Sequence, residues 1–152
     1  MIIRRPELRD REDYLAMSEE FYATDAVLHP VPKTNFAKTF DLLLSGSRYA
    51  DAYFVEEDGK AVGYALLAFT WSNEAGGMVV WGEELYIRPP YRGKGIGSAV
   101  IARIFKDYAD KAVRFRLETE SSNTGARSLY RRLGFRNFPY LQMVLEQPAH
   151  KD

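Results

Sequence analysis

From Glu83 to Ser98 the chain reads EELYIRPPYRGKGIGS, which sets two carboxylates, two arginines, a lysine and three glycines within sixteen residues. Neighbouring carboxylates on a strand can take a proton from a nucleophile or hold a cation. The glycines at 93, 95 and 97 open an apolar-periodic stretch that reads as a helix. A helix start leaves backbone N–H groups unpaired, at the partly positive end of the macrodipole. With no Cβ atoms in the way, a diphosphate can approach those amides closely. An anion seat at the end of an acid-bearing strand implies an enzyme that uses a phosphate-bearing cofactor.

The elements that must position these groups follow from the hydrophobic period. Ile2 to Arg4 reads as a strand stopped by Pro6. A helix from Asp10 as cap to about Thr24 carries Tyr14, Met17 and Phe21 at helical spacing. The loop DAVLHPVPKTN follows, and Asn35 is expected to cap a second helix with Phe36, Phe40, Leu43 and Leu44 facing inward. From Tyr49 the period becomes two. AYFVEEDGKAVGYALLAFTW reads as a hairpin turning at Glu57-Asp58-Gly59, and MVVWGEELYI as the next strand. A helix from Gly95 to about Asp110, a strand VRFRLET, a helix from Asn123 to Leu133 closed by Gly134, and a last strand YLQMVLEQ complete the chain. The order βααβββαβαβ describes an α+β fold on a mixed, mainly antiparallel sheet, and residues 1–152 read as a single domain.

Composition narrows the chemistry. The 21 basic and 21 acidic residues cancel, which argues against a general nucleic-acid or acidic-membrane surface. The chain has no cysteine and only His29 and His150 as histidines, so thiol catalysis, disulfides and a metal site are not expected. The start MIIRRPELRD has no apolar leader core, and no stretch reaches the roughly 20 apolar residues of a membrane span. A cytoplasmic location is expected.

Two common phosphate motifs fail. Gly93-Lys94 lacks both the glycine five residues earlier and the following Ser or Thr of a P-loop. A dinucleotide fingerprint from Gly95 would need Gly or Ala where Val100 stands. Arg92-x-x-Gly95-x-Gly97 does fit the R/Q-x-x-G-x-G/A signature of the GNAT acyl-CoA N-acyltransferases. The acidic strand EELYI before it and NTGARSLYRRLGF after it are similar to the same family, and so is the element order. The resemblance is strongest between Trp81 and Phe135.

This resemblance implies a GNAT fold with a splayed parallel strand pair flanked by helices, and acetyl-CoA lying in the splay. Leu85, Tyr86 and Ile87 would offer backbone groups to the pantetheine arm, with the Leu85 amide as oxyanion donor. Arg92, Gly93, Lys94, Gly95, Ile96, Gly97 and Ser98 would surround the diphosphate. Asn123 would bond the pantetheine arm, serve as a plain helix N-cap, or both, and Ala126 would line the same path. Tyr130 matches the family tyrosine that protonates the leaving sulfur. Glu83 or Glu84 would deprotonate the amine; strand alternation separates them, a bulge would break the alternation, and Glu83 is favoured. The other reading makes either glutamate a surface charge or a binder of the substrate cation.

Phe21, Tyr22, Asp25, Trp71 and Trp81, with His29, Glu74 and Tyr140, would line the acceptor side, where aromatic and acidic groups suit a small cation. The implied reaction is transfer of acetyl to a primary amine of a small or polyamine-like molecule, by direct attack in a ternary complex. Acetylation of a peptide N-terminus or lysine is one alternative, and a non-catalytic acyl-CoA-binding module is another. The family resemblance also implies a homodimer.

Overall fold

The computed structural model describes residues 1–24 and 31–147. Asp25, His29 and His150 lie outside the described residues. The elements run β1 (Ile2–Arg4), α1 (Arg11–Tyr22), α2 (Lys33–Leu44), β2 (Ala50–Glu57), β3 (Lys60–Ser72), β4 (Gly77–Ile87), α3 (Ile96–Tyr108), β5 (Ala112–Leu117) and α4 (Thr124–Arg132). One sheet carries all five strands in the order β1-β2-β3-β4-β5. Its first three pairings are antiparallel and β4–β5 is parallel. A parallel pair needs a crossover, and α3 supplies it. The result is a mixed sheet flanked by helices, the arrangement that the sequence resemblance implies.

Two cores hold the sheet between helices. On one face Val55, Val62, Leu67 and Val80 pack with Val100 and Ile104 of α3. On the other, Phe54, Tyr64 and Tyr86 pack with Tyr14 and Met17 of α1 and Phe36 and Phe40 of α2. The β2–β3 hairpin turns at Asp58 and Gly59, both with positive φ (50° and 73°), a backbone twist that suits a two-residue loop between antiparallel strands. Helix α4 ends in a Schellman motif: Phe135 N–H donates to Tyr130 C=O at 3.0 Å and Gly134 N–H to Arg131 C=O at 3.1 Å. Gly134 there has φ 93°, where a side chain would be strained.

Four expectations change, the first at Leu44, which is exposed at the end of α2 rather than facing inward. Asp10 stands at the cap position of α1, but its side chain does not cap it. Its carboxylate instead accepts two bonds from Arg4, at 2.7 and 2.8 Å, and one from the Glu7 amide at 2.6 Å. Helix α2 starts before Asn35, with Pro32 as its N-cap. Pro32 lacks an N–H that no helical carbonyl could have received there, so it costs nothing. The final strand YLQMVLEQ does not form; residues 135–147 carry no regular structure. A strand needs a neighbour for its backbone groups, and no described strand pairs with this segment. Leu141, Met143, Val144 and Leu145 are 83–89 % exposed in consequence.

Candidate functional site

The sheet opens at the acidic strand. β4 and β5 pair from Met78 with Ala112 to Gly82 with Leu117, and there the pairing stops, although β4 runs on to Ile87. The edge of β4 from Glu83 to Ile87 therefore faces away from β3 with no strand beside it. At the same place β4 changes register against β3: Leu66 pairs with Glu84 while Leu67 pairs with Gly82. Glu83 is the extra residue of a β-bulge. The bulge also turns the strand over. Val80 packs on the α3 face, whereas Tyr86, of the same parity, packs on the α1 face.

A groove of about 1120 Å³ lies along this opening. Glu83, Glu84 and Leu85 form its floor, Phe21 and Tyr22 of α1 stand on one side, and Asn123, Ala126 and Tyr130 of α4 on the other. Trp71 and Trp81 do not line it. Trp71 is 76 % exposed at the far end of β3, and Trp81 instead lies under the Arg116 guanidinium, 4.1 Å from its ring centroid. Glu74 likewise sits apart, accepting from Tyr140 at 2.7 Å and pairing with Arg114 at 2.9 Å.

The two carboxylates differ. Glu84 accepts from the Tyr22 hydroxyl at 2.6 Å through one oxygen and from the Tyr64 hydroxyl at 2.5 Å through the other. Burial raises its pKa, opposed by those two bonds. Glu83 makes no hydrogen bond among the described residues and opens onto the groove. Surrounding protein raises its pKa first, with the charges of Glu118 and Glu84 adding to the rise. A carboxyl so raised is a better proton acceptor near neutral pH than a surface glutamate. Neither Tyr64 nor Glu118 was visible as a site residue in the sequence. Tyr64 looks like one more residue of an alternating strand, and Glu118 like the polar end of another; no local pattern marks either.

The glycine turn adjoins the groove. Gly93 and Gly95 have φ 74° and 81°, and the space where their Cβ atoms would stand is empty. Gly95 is the N-cap of α3, and no side chain caps the helix. The amides of Ile96, Gly97 and Ser98 are thus the first-turn donors of an uncapped helix, a seat that fits a diphosphate. At Ile96 the backbone amide alone can serve, since the side chain is buried in the core. Gly97 connects turn and groove: a Cβ there would lie 3.3 Å from Leu129 of α4 and 3.7 Å from Leu85 of β4. The Arg92 guanidinium donates to the Ile87 carbonyl at 2.7 Å, so it braces the turn and occupies one backbone group expected for the pantetheine arm. Lys94 is exposed and stands 5.3 Å from the Tyr91 ring.

On α4, Asn123 accepts from the Ala126 amide at 3.1 Å, the N-cap role, which leaves its NH₂ group for the groove. Tyr130 lies edge-on to Phe135, with ring centroids 5.7 Å apart. Its hydroxyl has no hydrogen-bond partner among the described residues, and burial alone raises its pKa. Tyr86 is buried, with its hydroxyl on Glu20 at 2.8 Å, so only its backbone is near the open edge.

Comparison with known proteins agrees with this geometry. The profile described as the acetyltransferase (GNAT) family matches residues 14–135. An N-acetyltransferase of Methanocaldococcus jannaschii is 31 % identical over 149 residues, covering 96 % of this chain and 85 % of that protein. Thialysine N-epsilon-acetyltransferase of Sus scrofa is 39 % identical over 77 residues, half of this chain. That match spans 45 % of the relative's length. An aminoglycoside N-acetyltransferase solved in complex with CoA superposes with a TM-score of 0.79 at 16 % identity, covering 97 % of this chain and 95 % of that one. At that identity the likeness is one of fold.

Proposed function

The chain belongs to the acetyltransferase (GNAT) family, and we propose that it transfers acetyl from acetyl-CoA to a primary amine of a small, polyamine-like molecule by direct attack in a ternary complex. One observation carries this reading: β4 loses its neighbour at Gly82, which opens the Glu83–Ile87 edge between a free carboxylate and a free phenol. The domain is the whole of residues 1–152, its place is the cytoplasm, and its working form is a homodimer that covers the apolar run from Leu141 to Leu145.

Bound acetyl-CoA would supply the activated acyl group. Its diphosphate fits the uncapped start of α3, held by the amides from Gly93 to Ser98, and its pantetheine arm fits between the open edge of β4 and Asn123 and Ala126 of α4. The Leu85 amide, on the open edge, is placed to donate to an oxygen that gains negative charge. Glu83 takes the proton of the amine. For a lysine-like amine of pKa ~10.4, reaching the free base near pH ~7.4 costs about 4 kcal/mol; Glu83 does not cancel that cost but gives the proton a place to go as the C–N bond forms. Tyr130 is fully protonated at neutral pH. Handing its proton to a thiolate whose thiol has a pKa of ~8.5 is uphill by about 2 kcal/mol even for an ordinary phenol, so Tyr130 holds the departing thiolate chiefly by donating a hydrogen bond. Phe21 and Tyr22 with the glutamates favour a cationic acceptor. The thialysine acetyltransferase named above makes a lysine-like side-chain amine a sensible member of the panel.

The test is thiol release from acetyl-CoA against polyamines, lysine analogues, aminoglycosides and short peptides, with Tyr130→Phe alongside. Release stimulated by one amine class, and reduced at least about a hundredfold in the variant with CoA binding kept, is expected. Binding of CoA with no stimulated release would leave a non-catalytic acyl-CoA-binding protein. Release with peptides alone would move the acceptor to protein termini or lysines.

A further inference from the structure

Glu84 is held unlike any other carboxylate at the groove. Each of its two oxygens receives one phenol, from different elements: Tyr22 at the end of α1 and Tyr64 in β3. Tyr22 is itself fixed, stacked on Phe36 of α2 with centroids 5.2 Å apart and edge-on to Phe21 at 5.1 Å. Tyr64 is fully buried and packs edge-on to Tyr14 of α1 at 5.3 Å. Both ends of the latch are thus built into the core between α1, α2 and the sheet. The residue before Glu84 is the bulged one, and a bulge has no ladder bond of its own to hold it.

We propose that Glu84 is a positioning residue, whose bonds to Tyr22 and Tyr64 latch the end of α1 onto the β4 bulge and so set the place of Glu83 and of the acceptor wall. This rests on the amine-acetylating reading of the groove. Glu84 cannot serve as the free base while two phenols donate to it, because accepting an amine proton would break the charge-assisted bonds that offset its burial. Glu83 has no such ties. The groups that face Glu83 are Glu84 on its own strand, Glu118 beyond β5 and Tyr22 on α1. Those that face Glu84 are Tyr22 and Tyr14 on α1 and Tyr64 on β3. The latch therefore also places a negative neighbour beside Glu83, which keeps its proton affinity high.

Four proteins decide this: wild type, Glu83→Gln, Glu84→Gln and Tyr64→Phe, which removes one latch phenol that is buried away from the groove. Each is followed by the pH profile of thiol release and by a carbon-13 titration of glutamate carboxyls with CoA bound. In Tyr64→Phe the amine KM should rise about tenfold while kcat stays within about threefold, the signature of a lost placement rather than a lost proton transfer. In Glu84→Gln the acid limb of kcat/KM should persist and move to lower pH, together with the Glu83 resonance, since one repelling charge is gone. In Glu83→Gln the limb should vanish. The proposal is overturned if Glu84→Gln abolishes the limb while Glu83→Gln keeps it, which would make Glu84 the base. An unchanged KM in Tyr64→Phe, or a Glu83 titration that ignores Glu84→Gln, overturns it equally. A wild type that binds CoA and acetylates no amine removes the functional reading alone, and the carboxyl titration then still decides the latch.

Discussion

Gly63 is the residue whose replacement should do most harm for fewest atoms. It pairs with Ile87, at the end of the open strand edge. A Cβ on Gly63 would stand 2.6 Å from the Tyr86 carbonyl oxygen, 2.5 Å from Ile87 Cδ1 and 3.3 Å from Ile87 Cα. Ordinary contact begins at 3.4 Å, so the carbonyl must retreat by 0.8 Å. The Ile87 methyl can rotate away, but a carbonyl in a sheet ladder moves only with its strand. Overpacking of this kind costs about 1–3 kcal/mol, and a backbone clash belongs at the upper end. With a urea slope of about 2 kcal/mol/M for a chain of this size, the midpoint of unfolding should fall by about 1.5 M. The shifted strand is the one expected to hold the pantetheine arm, so calorimetric CoA affinity should fall too. Gly97→Ala is the matched control. Its Cβ meets only the ends of two leucine side chains, at 3.3 and 3.7 Å, and alanine gains about 0.5–1 kcal/mol over glycine inside a helix. Its midpoint should move by no more than about 0.5 M while CoA binding weakens. A Gly63→Ala protein with the wild-type midpoint would refute the reasoning, because the carbonyl would then have moved without cost.

Arg4→Ala should destabilise by about 3 kcal/mol, since it strands the buried Asp10 carboxylate and leaves Glu56 only its looser pair with Arg9 at 3.7 Å. Asp10 feels burial raising its pKa, outweighed by Arg4 and the Glu7 amide, so its folded value lies below 3.8. The contribution is complete above 3.8 and lost as pH falls through the lower folded value; urea midpoints of wild type and variant should converge in that acid range and part above it. Asn123→Ala removes the α4 cap and should cost about 1 kcal/mol in chemical denaturation. A fall in CoA affinity in the same variant, measured at a pH and temperature where it is fully folded, would reveal the second use of its NH₂ group.

What the chain declares locally, it declares well. The turn from Arg92 to Ser98, the first-turn amides of α3 and the Asp58-Gly59 hairpin depend on backbone preferences within a few residues, and each was legible in the order of residue types. So was the alternation of β2 to β4, which carries the sheet. Three matters were decided only by elements distant in sequence. Which glutamate is free depends on the register slip between Leu66 and Leu67 and on phenols from α1 and β3; no spacing around Glu83 encodes either. Trp71 has the chemistry of a cation site, yet its place on a long strand leaves it exposed and outside the groove. The segment from Tyr140 alternates like a strand but pairs with no described strand, because alternation selects a face and only a ladder partner supplies hydrogen bonds. Residue type set the chemistry available to this protein, while strand register and the ending of one pairing at Gly82 chose where that chemistry could meet a substrate.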